Sequence, residues 1–406
     1  MQTKLTTTLL KTATGQEADR ILRSCVHCGF CTATCPTYQI LGDERDGPRG
    51  RIYLIKQILE GKKATRLTLQ HLDRCLTCRS CETTCPSGVE YGTLLQTGRN
   101  IVQAQVSRPL MQQLMRWAFI RFLPKPAYLK HLVKLANKFR NVLPKTLTTS
   151  LPKDTGSMSW PEVLHTRKVI IPIGCVQSIL SPEIDNSTAY VLDHLGISVI
   201  RAGGCCGAIQ HHLSAEEKAK QQARSNIDSW WTLIESGAEA ILSTASGCGV
   251  MLKEYAHLLK EDPDYREKAN KVTRLTKDLV ELLQEEDIGK LQALAKKHKG
   301  QTISFHSPCT LQHGQQLNGR VENILNKINI QTNLIKDSHL CCGSAGTYSL
   351  TQPVLSRQLR DNKIKNLIKN KPGLIATANI GCLLHLAKSS PVPVVHWIQL
   401  LDNRLS

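Results

Sequence analysis

The sequence predicts a chain of mixed α+β and α/β class, in which a helical N-terminal domain precedes two repeated α/β domains that each carry Cys-Cys-Gly. Three observations predict this order: two cysteine-rich motifs near the N-terminus, a basic segment after them, and a repeated pattern of apolar runs and cysteines in the second half. A chain of 406 residues has room for about two to three domains. The domain limits expected from these patterns are 1–100, 101–165, 166–295 and 296–406.

Composition excludes several classes of protein. The chain has 16 cysteines, but disulfide scaffolds are usually short and secreted. The N-terminus lacks the apolar core of a signal peptide, so we expect a cytoplasmic protein with reduced thiols. No run approaches the roughly 18 to 20 apolar residues that span a bilayer. The formal charge of +19 indicates an anionic partner such as an acidic protein, a lipid surface or a nucleic acid.

A basic segment connects the two halves. From Tyr91 to Lys153 there is no Asp or Glu, whereas eleven Arg and Lys residues occur there. Residues 111–122 place apolar side chains at helical spacing with Arg116 and Arg121 on other faces, which predicts an amphipathic helix. One interpretation is a helix packed on a neighbouring domain with solvated charges; the alternatives are docking on a membrane surface or on a partner subunit. Nucleic-acid binding is disfavoured, because base-stacking and helix-turn-helix signals are absent.

Two motifs near the N-terminus share the spacing Cys-x2-Cys-x2-Cys-x3-Cys-Pro. This spacing is typical of two-cluster ferredoxins, in which three thiolates hold one 4Fe-4S cluster and the fourth reaches the other cluster. Zinc is the alternative, but zinc sites usually use two cysteine pairs that are well separated in sequence. The sequence therefore predicts a ferredoxin-like domain with two 4Fe-4S clusters, one held by Cys25, Cys28, Cys31 and Cys85 and the other by Cys75, Cys78, Cys81 and Cys35.

Residues around these motifs carry further expectations. The fourth cysteine of each motif is expected at the start of a helix, with Pro36 or Pro86 turning the chain away from the cluster. Gly29 would let the backbone approach a cluster closely. His27 and His71 are expected to face solvent or to form hydrogen bonds, because the cysteine ligands are already complete.

The second half contains an internal repeat whose landmarks are cysteines. In each copy an apolar run ends at a cysteine, Cys-Cys-Gly follows about thirty residues later, and another apolar run ends at a fourth cysteine. Helical patterns follow the apolar runs, the first capped by Ser181, so we expect parallel sheets with cysteines beyond the carboxyl ends of the strands. The candidate cofactor-binding sets are Cys175, Cys205, Cys206 and Cys248, and Cys309, Cys341, Cys342 and Cys382.

Several segments resemble the iron-sulfur subunit of bacterial glycolate oxidase. They are CVHCGFCTATCPTY, DGPRGRIYLIKQ, CLTCRSCETTCPSG, CTLQHGQQLNG, DSHLCCGSAGTYSLTQP and TANIGC. The Cys-Cys-Gly unit also resembles heterodisulfide reductase and the iron-sulfur subunits of anaerobic glycerol-3-phosphate and lactate dehydrogenases. The resemblance implies that FAD-binding partner subunits oxidise glycolate to glyoxylate and that this chain passes electrons toward a quinone or another respiratory acceptor. It also implies a peripheral position on the cytoplasmic face of the inner membrane.

The sequence departs from the full Cys-Cys-Gly pattern of those relatives, which ends in Cys-x2-Cys. Met251 and His385 occupy the positions three after Cys248 and Cys382, so each repeat keeps four of the five thiols. Three alternatives stay open: an ordinary cluster, an altered cluster, or buried cysteines without metal. His385 is a candidate for the missing ligand. A structural role is expected for His211, His212, His306 and His339.

Glycine-rich nucleotide motifs are missing from the sequence. We find no G-x-G-x-x-G after a strand, no P-loop and no serine-centred hydrolase motif, so flavin is expected only on a partner. A second hypothesis is a thiol-disulfide enzyme that uses the Cys-Cys pairs directly.

Overall fold

A computed structural model describes residues 1–139 and 160–404 of the chain. Arg140, Lys145 and Lys153 of the basic segment lie outside these ranges. Within the described residues, a helical N-terminal region precedes two parallel sheets with helices around them, which confirms the predicted fold class.

Helices build the described part of the chain up to residue 139. Helix Pro48–Leu59 packs closely on helix Tyr91–Gln105 at Gly98. A Cβ at this position would lie 2.6 Å from Ile55 Cγ1, so the close contact requires glycine. The buried faces of these helices and of Ala13–Ser24 form the first apolar core. Helix Tyr91–Gln105 continues through position 100, whereas the domain limits themselves stay a prediction. The other helices here, with one 3-10 turn at Glu44–Asp46, are Thr7–Leu10, Phe30–Ala33, Pro36–Leu41, Arg66–Asp73, Ser80–Thr84, Leu110–Phe122 and Pro126–Lys138.

The helix expected after each fourth cysteine is present only once. Cys35 precedes helix Pro36–Leu41, whose first residue is the proline. Cys85 instead follows helix Ser80–Thr84, and Pro86 continues into a turn. The second expectation was therefore wrong, because the helix of that motif is completed before the cysteine.

Two four-stranded parallel sheets form the second half, and they have the same topology. In the order β2-β1-β3-β4, the strands are β1 Arg167–Pro172, β2 Ile197–Ala202, β3 Ala240–Ser243 and β4 Thr276–Asp278. In the order β6-β5-β7-β8, they are β5 Thr302–His306, β6 Gln331–Thr332, β7 Ile375–Thr377 and β8 Val394–His396. The first strand of each copy lies between the second and the third, so the sequence repeat is also a structural repeat.

Helices connect the parallel strands, as the crossover between two parallel strands requires. The helix predicted from Ser181 begins at Glu183 and is preceded by Pro182, so Ser181 is not its N-cap. The helices are Gln177–Leu180, Glu183–His194, Ala208–His212, Glu216–Glu235, Ser246–Lys253, Tyr255–Leu258, Arg266–Leu275, Leu279–Leu283, Ile288–Leu294, Arg320–Lys327, Tyr348–Thr351, Pro353–Leu367 and Ile380–Ala387. Shorter turns are the 3-10 segments Lys296–His298 and Trp397–Leu401 and the π-helical segment Thr310–Gly314.

The three regions pack against one another. Residues of both sheets share one buried apolar cluster, and Ser246 Oγ lies 2.7 Å from Thr310 Oγ1 across their boundary. The N-terminal region contacts the first repeat through the Arg79–Glu254 ion pair. It contacts the second repeat where Thr83 Oγ1 lies 2.8 Å from His313 Nδ1. These contacts fix the N-terminal cysteines relative to both Cys-Cys-Gly repeats.

Among the described residues of the basic segment, helices Leu110–Phe122 and Pro126–Lys138 follow Tyr91–Gln105, and the positive charges are only partly solvated. Arg116 donates a 2.8 Å hydrogen bond to the Leu213 carbonyl, and burial lowers its pKa to about 10. Arg108 is paired with Asp73. Met111, the first residue of the predicted stripe, is 75% exposed, and Leu110 before it is 83% exposed. Some of the basic residues are therefore bound within the protein, as the interpretation of a packed helix predicts, but apolar side chains of the same helix remain exposed.

Candidate iron-sulfur sites

The two N-terminal motifs fold into loops with the same unusual backbone. His27 and Gly29 in the first loop have φ of 56° and 88°, and Thr77 and Arg79 in the second have 54° and 59°. Left-handed residues at alternate positions turn backbone amides into a concave surface that favours anions, such as the sulfide and thiolate of a cluster. Gly29 also lies close to Arg49, since a Cβ there would be 3.2 Å from Nη1. This contact is with Arg49, so close approach of the Gly29 backbone to a cluster stays a prediction.

The thiols of the two motifs form two groups, an outer and an inner one. In the outer group, Cys25, Cys28, Cys31 and Cys85 line one small cavity together with Cys81. Burial, together with the neighbouring thiols, raises the pKa of Cys31 to about 11. Cys28 is exposed, so the outer group reaches the surface of the protein.

The inner group consists of Cys75, Cys78, Cys81 and Cys35. Burial raises the pKa of Cys81 well above its usual value, with further contributions from Cys78, Cys75 and Cys35. Thr77 N donates to Cys75 Sγ at 3.4 Å, and Tyr91 Oη lies 3.6 Å from the same sulfur. Such thiols become thiolates only when nearby positive charge, such as that of iron, compensates for burial.

A buried charge network lies beside the inner group. Asp46 accepts from Arg74 at 2.8 Å and lies 3.5 Å from Arg51. His71 Nδ1 lies 3.0 Å from the same carboxylate, so this histidine has the hydrogen-bonding role expected of it. Arg51 also donates to the His71 carbonyl at 2.8 Å. The network keeps positive charge close to the inner thiols.

The four thiols of the first repeat meet beyond the carboxyl ends of β1 and β3. Cys205 Sγ and Cys175 Sγ are 3.5 Å apart, and Cys206 contacts Cys248. The thiol contact with Cys205, together with burial, raises the pKa of Cys175. Met251, at the position of the absent fifth thiol, packs its Cε atom near Gly207.

The second repeat places its thiols in the corresponding arrangement beyond β5 and β7. Cys309 Sγ lies 3.7 Å from Cys341 Sγ, and Cys342 Sγ lies 3.4 Å from Cys382 Sγ. Contact with Cys341 and burial raise the pKa of Cys309. All sixteen cysteines lie in the described ranges, and all are free thiols. Each repeat thus brings its four predicted cysteines together without a disulfide.

One large cavity joins the two repeats. Its volume is about 860 Å³, and its lining includes all eight thiols of the repeats together with Cys75 of the inner group. On one side of it, Cys78 packs in the same cluster as Cys309 and Cys341. Tyr348 packs in the same cluster and donates a hydrogen bond from Oη to the Arg74 carbonyl at 3.1 Å. The inner thiol group and the second repeat are therefore direct neighbours.

Two residues near the second set escaped the sequence reasoning. His306 was assigned a structural role, but its ring nitrogen, Cys342 Sγ and Cys382 Sγ lie within 4.8 Å of one another. Lys363 is also buried, although nothing in the sequence pattern distinguished it. One signal for His306 was available from aligning the two repeats. His306 lies three residues before Cys309, and the corresponding residue of the first repeat, three before Cys175, is Pro172.

Among the described residues, His27 Nε2, His211 Nδ1 and His396 Nε2 are also buried without a hydrogen-bond partner, so the expectation that His27 faces solvent or forms hydrogen bonds is not met at Nε2. Of these histidines, only His306 lies beside two thiols. His385, the candidate for the missing ligand, directs Nε2 to Ser356, 3.2 Å from Oγ and 3.3 Å from the carbonyl oxygen. His211 accepts at its carbonyl from Gln96 at 3.1 Å, and the His339 carbonyl contacts His313 Nε2 at 2.9 Å. His212 precedes the turn that ends helix Ala208–His212.

Comparisons with known proteins agree with this geometry. The 4Fe-4S dicluster domain family matches residues 21–89, and the cysteine-rich domain family matches residues 169–253 and 303–387. The glycolate oxidase iron-sulfur subunit of Escherichia coli K12 is 53% identical over the whole chain and 99% of its own length. The probable glycolate oxidase iron-sulfur subunit of Bacillus subtilis 168 is 29% identical over 94% of this chain and 93% of its own length.

More distant proteins share parts of the chain or its fold. Lactate utilization protein A of an Exiguobacterium strain is 26% identical over 58% of this chain and 97% of its own length. The crystal structure of a hypothetical protein from Helicobacter pylori has a TM-score of 0.50 and 10% identity, covering 96% of this chain and 72% of that one. This last similarity concerns the fold alone.

Fold, thiol groups and matched domains together define an iron-sulfur electron-transfer protein with two 4Fe-4S clusters in its N-terminal domain. Cysteine-rich repeats follow that domain. The chain belongs to the family of glycolate oxidase iron-sulfur subunits, which makes it a subunit of an oxidoreductase complex.

Proposed function

We propose that this subunit receives electrons from FAD-binding partner subunits that oxidise glycolate to glyoxylate, and that it passes them toward a quinone or another respiratory acceptor. The oxidation releases two electrons and two protons, and a flavin takes up electrons in pairs and releases them singly. Clusters bound to this chain would supply the one-electron steps. The name of the 53% identical relative supports glycolate as the substrate of the complex.

The proposed ligand sets are those expected from the spacing. Cys25, Cys28, Cys31 and Cys85 would hold one 4Fe-4S cluster, and Cys75, Cys78, Cys81 and Cys35 the other. The shared cavity of the outer thiols supports this division, as does the effect of Cys78, Cys75 and Cys35 on the pKa of Cys81. The two Cys-Cys-Gly sets are proposed as additional redox or metal sites.

The observation that carries the proposal is the order of the thiol groups from the surface inward. Cys28 is exposed at the outer group, where a partner flavoprotein has access. The inner group lies behind it, and Cys78 packs directly against Cys309 and Cys341 of the second repeat. Such an order favours a relay across the protein over a catalytic pocket for a hydroxy acid.

A peripheral position on the cytoplasmic face of the inner membrane completes the proposal. Across residues 1–139 and 160–404, no helix is long and apolar enough to cross a membrane. Attachment would then use the exposed apolar and basic side chains of Leu110–Phe122 and Pro126–Lys138.

Anaerobic reduction by glycolate tests the proposed reaction. The purified chain, mixed with its flavoprotein partner and glycolate, should develop the EPR signals of reduced clusters, and the partner should release glyoxylate. The chain alone should show cluster absorption without turnover. Replacing glycolate by lactate or glycerol 3-phosphate separates the related dehydrogenases, and reduction only by one of these would overturn the glycolate assignment.

A thiol enzyme of the heterodisulfide reductase type is the second candidate. The cavity of about 860 Å³, lined by eight thiols, is the observation that favours it. Reduction of a disulfide substrate by the dithionite-reduced chain, lost in Cys205→Ser or Cys341→Ser, would support this candidate. A relay predicts no such activity.

A further inference from the structure

His306 is the last residue of β5 and lies beside two thiols of the second Cys-Cys-Gly site. It is 2% exposed, and its Nε2 atom is buried without a hydrogen-bond partner among the described residues. A buried polar nitrogen without a partner costs about 1–3 kcal/mol, so an unpaired one calls for an explanation. Its ring nitrogen lies within 4.8 Å of the sulfurs of Cys342 and Cys382.

We propose that His306 is a metal ligand of the second Cys-Cys-Gly site, where its imidazole binds together with Cys309, Cys341, Cys342 and Cys382. Imidazole and thiolate are both suitable donors for iron and for zinc. An iron cluster at this site would have five donors although the fifth thiol of the pattern is absent, whereas a zinc ion would take four donors, His306 among them. The fifth donor comes from the strand before Cys309 and not from the helix that carries His385, whose Nε2 is directed to Ser356.

Buried charge distinguishes this site from the first repeat. Lys363 is 3% exposed, and its ammonium donates to the carbonyls of Asp337 at 2.7 Å and Ser338 at 3.3 Å. A buried cation beside four thiols is suited to a metal centre with net negative charge. The second site is therefore built for an anionic centre.

The first repeat has neutral groups at the corresponding places. The two repeats can be aligned through their glycines, because a Cβ at Gly207 would contact the backbone of Ala219 and one at Gly343 that of Ser356. Seven residues after Ala219 is Asn226, and seven residues after Ser356 is Lys363. The Asn226 amide donates to the Cys205 carbonyl at 2.8 Å. Pro172 replaces the histidine at the strand end and offers no side-chain donor. The proposal accordingly concerns the second repeat alone.

This inference rests on the proposed role of the Cys-Cys-Gly thiols as a metal site, but it does not depend on the substrate of the partner. Metal analysis and spectroscopy of the anaerobically purified full chain test it. Two 4Fe-4S clusters account for about eight irons, so further iron or zinc is expected in the wild type. His306→Ala should lower the affinity for this additional metal at least tenfold.

Spectroscopy identifies the donor atom. If the metal is iron, hyperfine spectra should show imidazole nitrogen coupling that shifts on ¹⁵N-histidine labelling; if it is zinc, zinc-edge absorption should show imidazole scattering. His306→Cys should keep the metal and lose the nitrogen signature, which separates ligand loss from misfolding. His385→Ala is the matched control, and it should keep both.

Three other outcomes would contradict the assignment of His306 as a ligand. If Cys342→Ser removes the additional metal while His306→Ala keeps it with its nitrogen signature, the thiol site stands and the histidine assignment is wrong. If the wild type binds no metal beyond about eight irons, both the thiol site and the histidine ligand are overturned. Loss of the nitrogen signature in His385→Ala alone would transfer the ligand role to His385.

Discussion

The fourth cysteine of each N-terminal motif lies near the thiols of the other motif, although each motif is continuous in sequence. Cys35 follows the first motif but lies among the thiols that raise the pKa of Cys81 in the second. Cys85 follows the second motif but lines the cavity of Cys25 and Cys28. The fourth cysteine of each motif is thus close to the other motif.

Cys25→Ser and Cys35→Ser are therefore expected to damage different clusters. EPR of the reduced variants should show loss or change of the outer-cluster signal in Cys25→Ser and of the inner-cluster signal in Cys35→Ser. Cys85→Ser should match Cys25→Ser because it removes a ligand of the same proposed set. If Cys25→Ser and Cys35→Ser erased the same signal, the crossed assignment would be wrong.

Arg51 is expected to tune the inner cluster. Its guanidinium is 1% exposed and interacts electrostatically with Cys75 and Cys35. Positive charge favours the reduced cluster, so Arg51→Gln should lower the potential of the inner cluster. A unit charge at an effective dielectric constant of about 20 contributes on the order of 2 kcal/mol, or roughly 90 mV for one electron.

Redox titration followed by EPR measures this change. Arg51→Lys keeps the charge and should retain most of the potential, whereas the exposed Arg20→Gln should change nothing. A fall in Arg51→Lys as large as that in Arg51→Gln would assign the effect to packing and contradict the electrostatic explanation.

Among the structural elements, the two Cys-Cys-Gly turns are similar in backbone but not in surroundings. Gly207 and Gly343 have φ of 90° and 88°, a conformation that favours glycine. A Cβ at Gly207 would lie 3.5 Å from the Ala219 carbonyl oxygen, an ordinary contact. At Gly343 it would lie 2.7 Å from the Ser356 carbonyl oxygen, which the backbone must move to accommodate.

Gly343→Ala should therefore cost more stability than Gly207→Ala. Both changes incur the left-handed strain of about 1–2 kcal/mol, and the clash in Gly343→Ala adds a further cost of about 1–3 kcal/mol. Thermal unfolding of the two variants under anaerobic conditions compares them directly. Equal destabilisation would mean that the helix beginning at Pro353 moves without cost.

Local spacing explains what the sequence predicted about these elements. The cysteine motifs, the repeated sheet and the strand-end position of Cys309 all follow from residues close together in the chain. The contact between Cys78 and Cys309 joins residues more than two hundred positions apart, so no local pattern contains it. His306 was missed for a similar reason, because its importance depends on Cys342 and Cys382 meeting it in space. The burial of Arg116 could not be predicted from local spacing, because its acceptor Leu213 lies 97 residues away in the sequence.

For the whole molecule, the basic helices combine uncovered apolar surface with unneutralised charge. Leu114 and Trp117 are exposed, and they follow Leu110 at helical spacing. Arg108 and Arg116 are engaged within the protein and are not available to a membrane. The exposed basic residues of these helices are Arg121, Lys125, Lys130, Lys134 and Lys138.

The last prediction is that this surface binds anionic vesicles through charge. Basic residues near an anionic leaflet contribute roughly 1 kcal/mol each, so changing Arg121, Lys125, Lys130 and Lys134 to Gln should weaken binding by up to about 4 kcal/mol. Binding of the wild type should also fall steeply with salt, because the Debye length shrinks from ~10 Å at 0.1 M to ~3 Å at 1 M. Vesicle co-sedimentation measures both effects.

A charge-matched control separates this surface from the overall charge of +19. Changing the exposed lysines Lys62, Lys63, Lys299 and Lys369 to Gln removes the same charge elsewhere and should leave vesicle binding nearly unchanged. Equal weakening in the two variants would assign binding to net charge, because long-range attraction does not depend on which basic residues supply it. Salt-independent binding, or none, would instead favour a surface that packs on the flavoprotein, and the two helices would then be tested as its docking site.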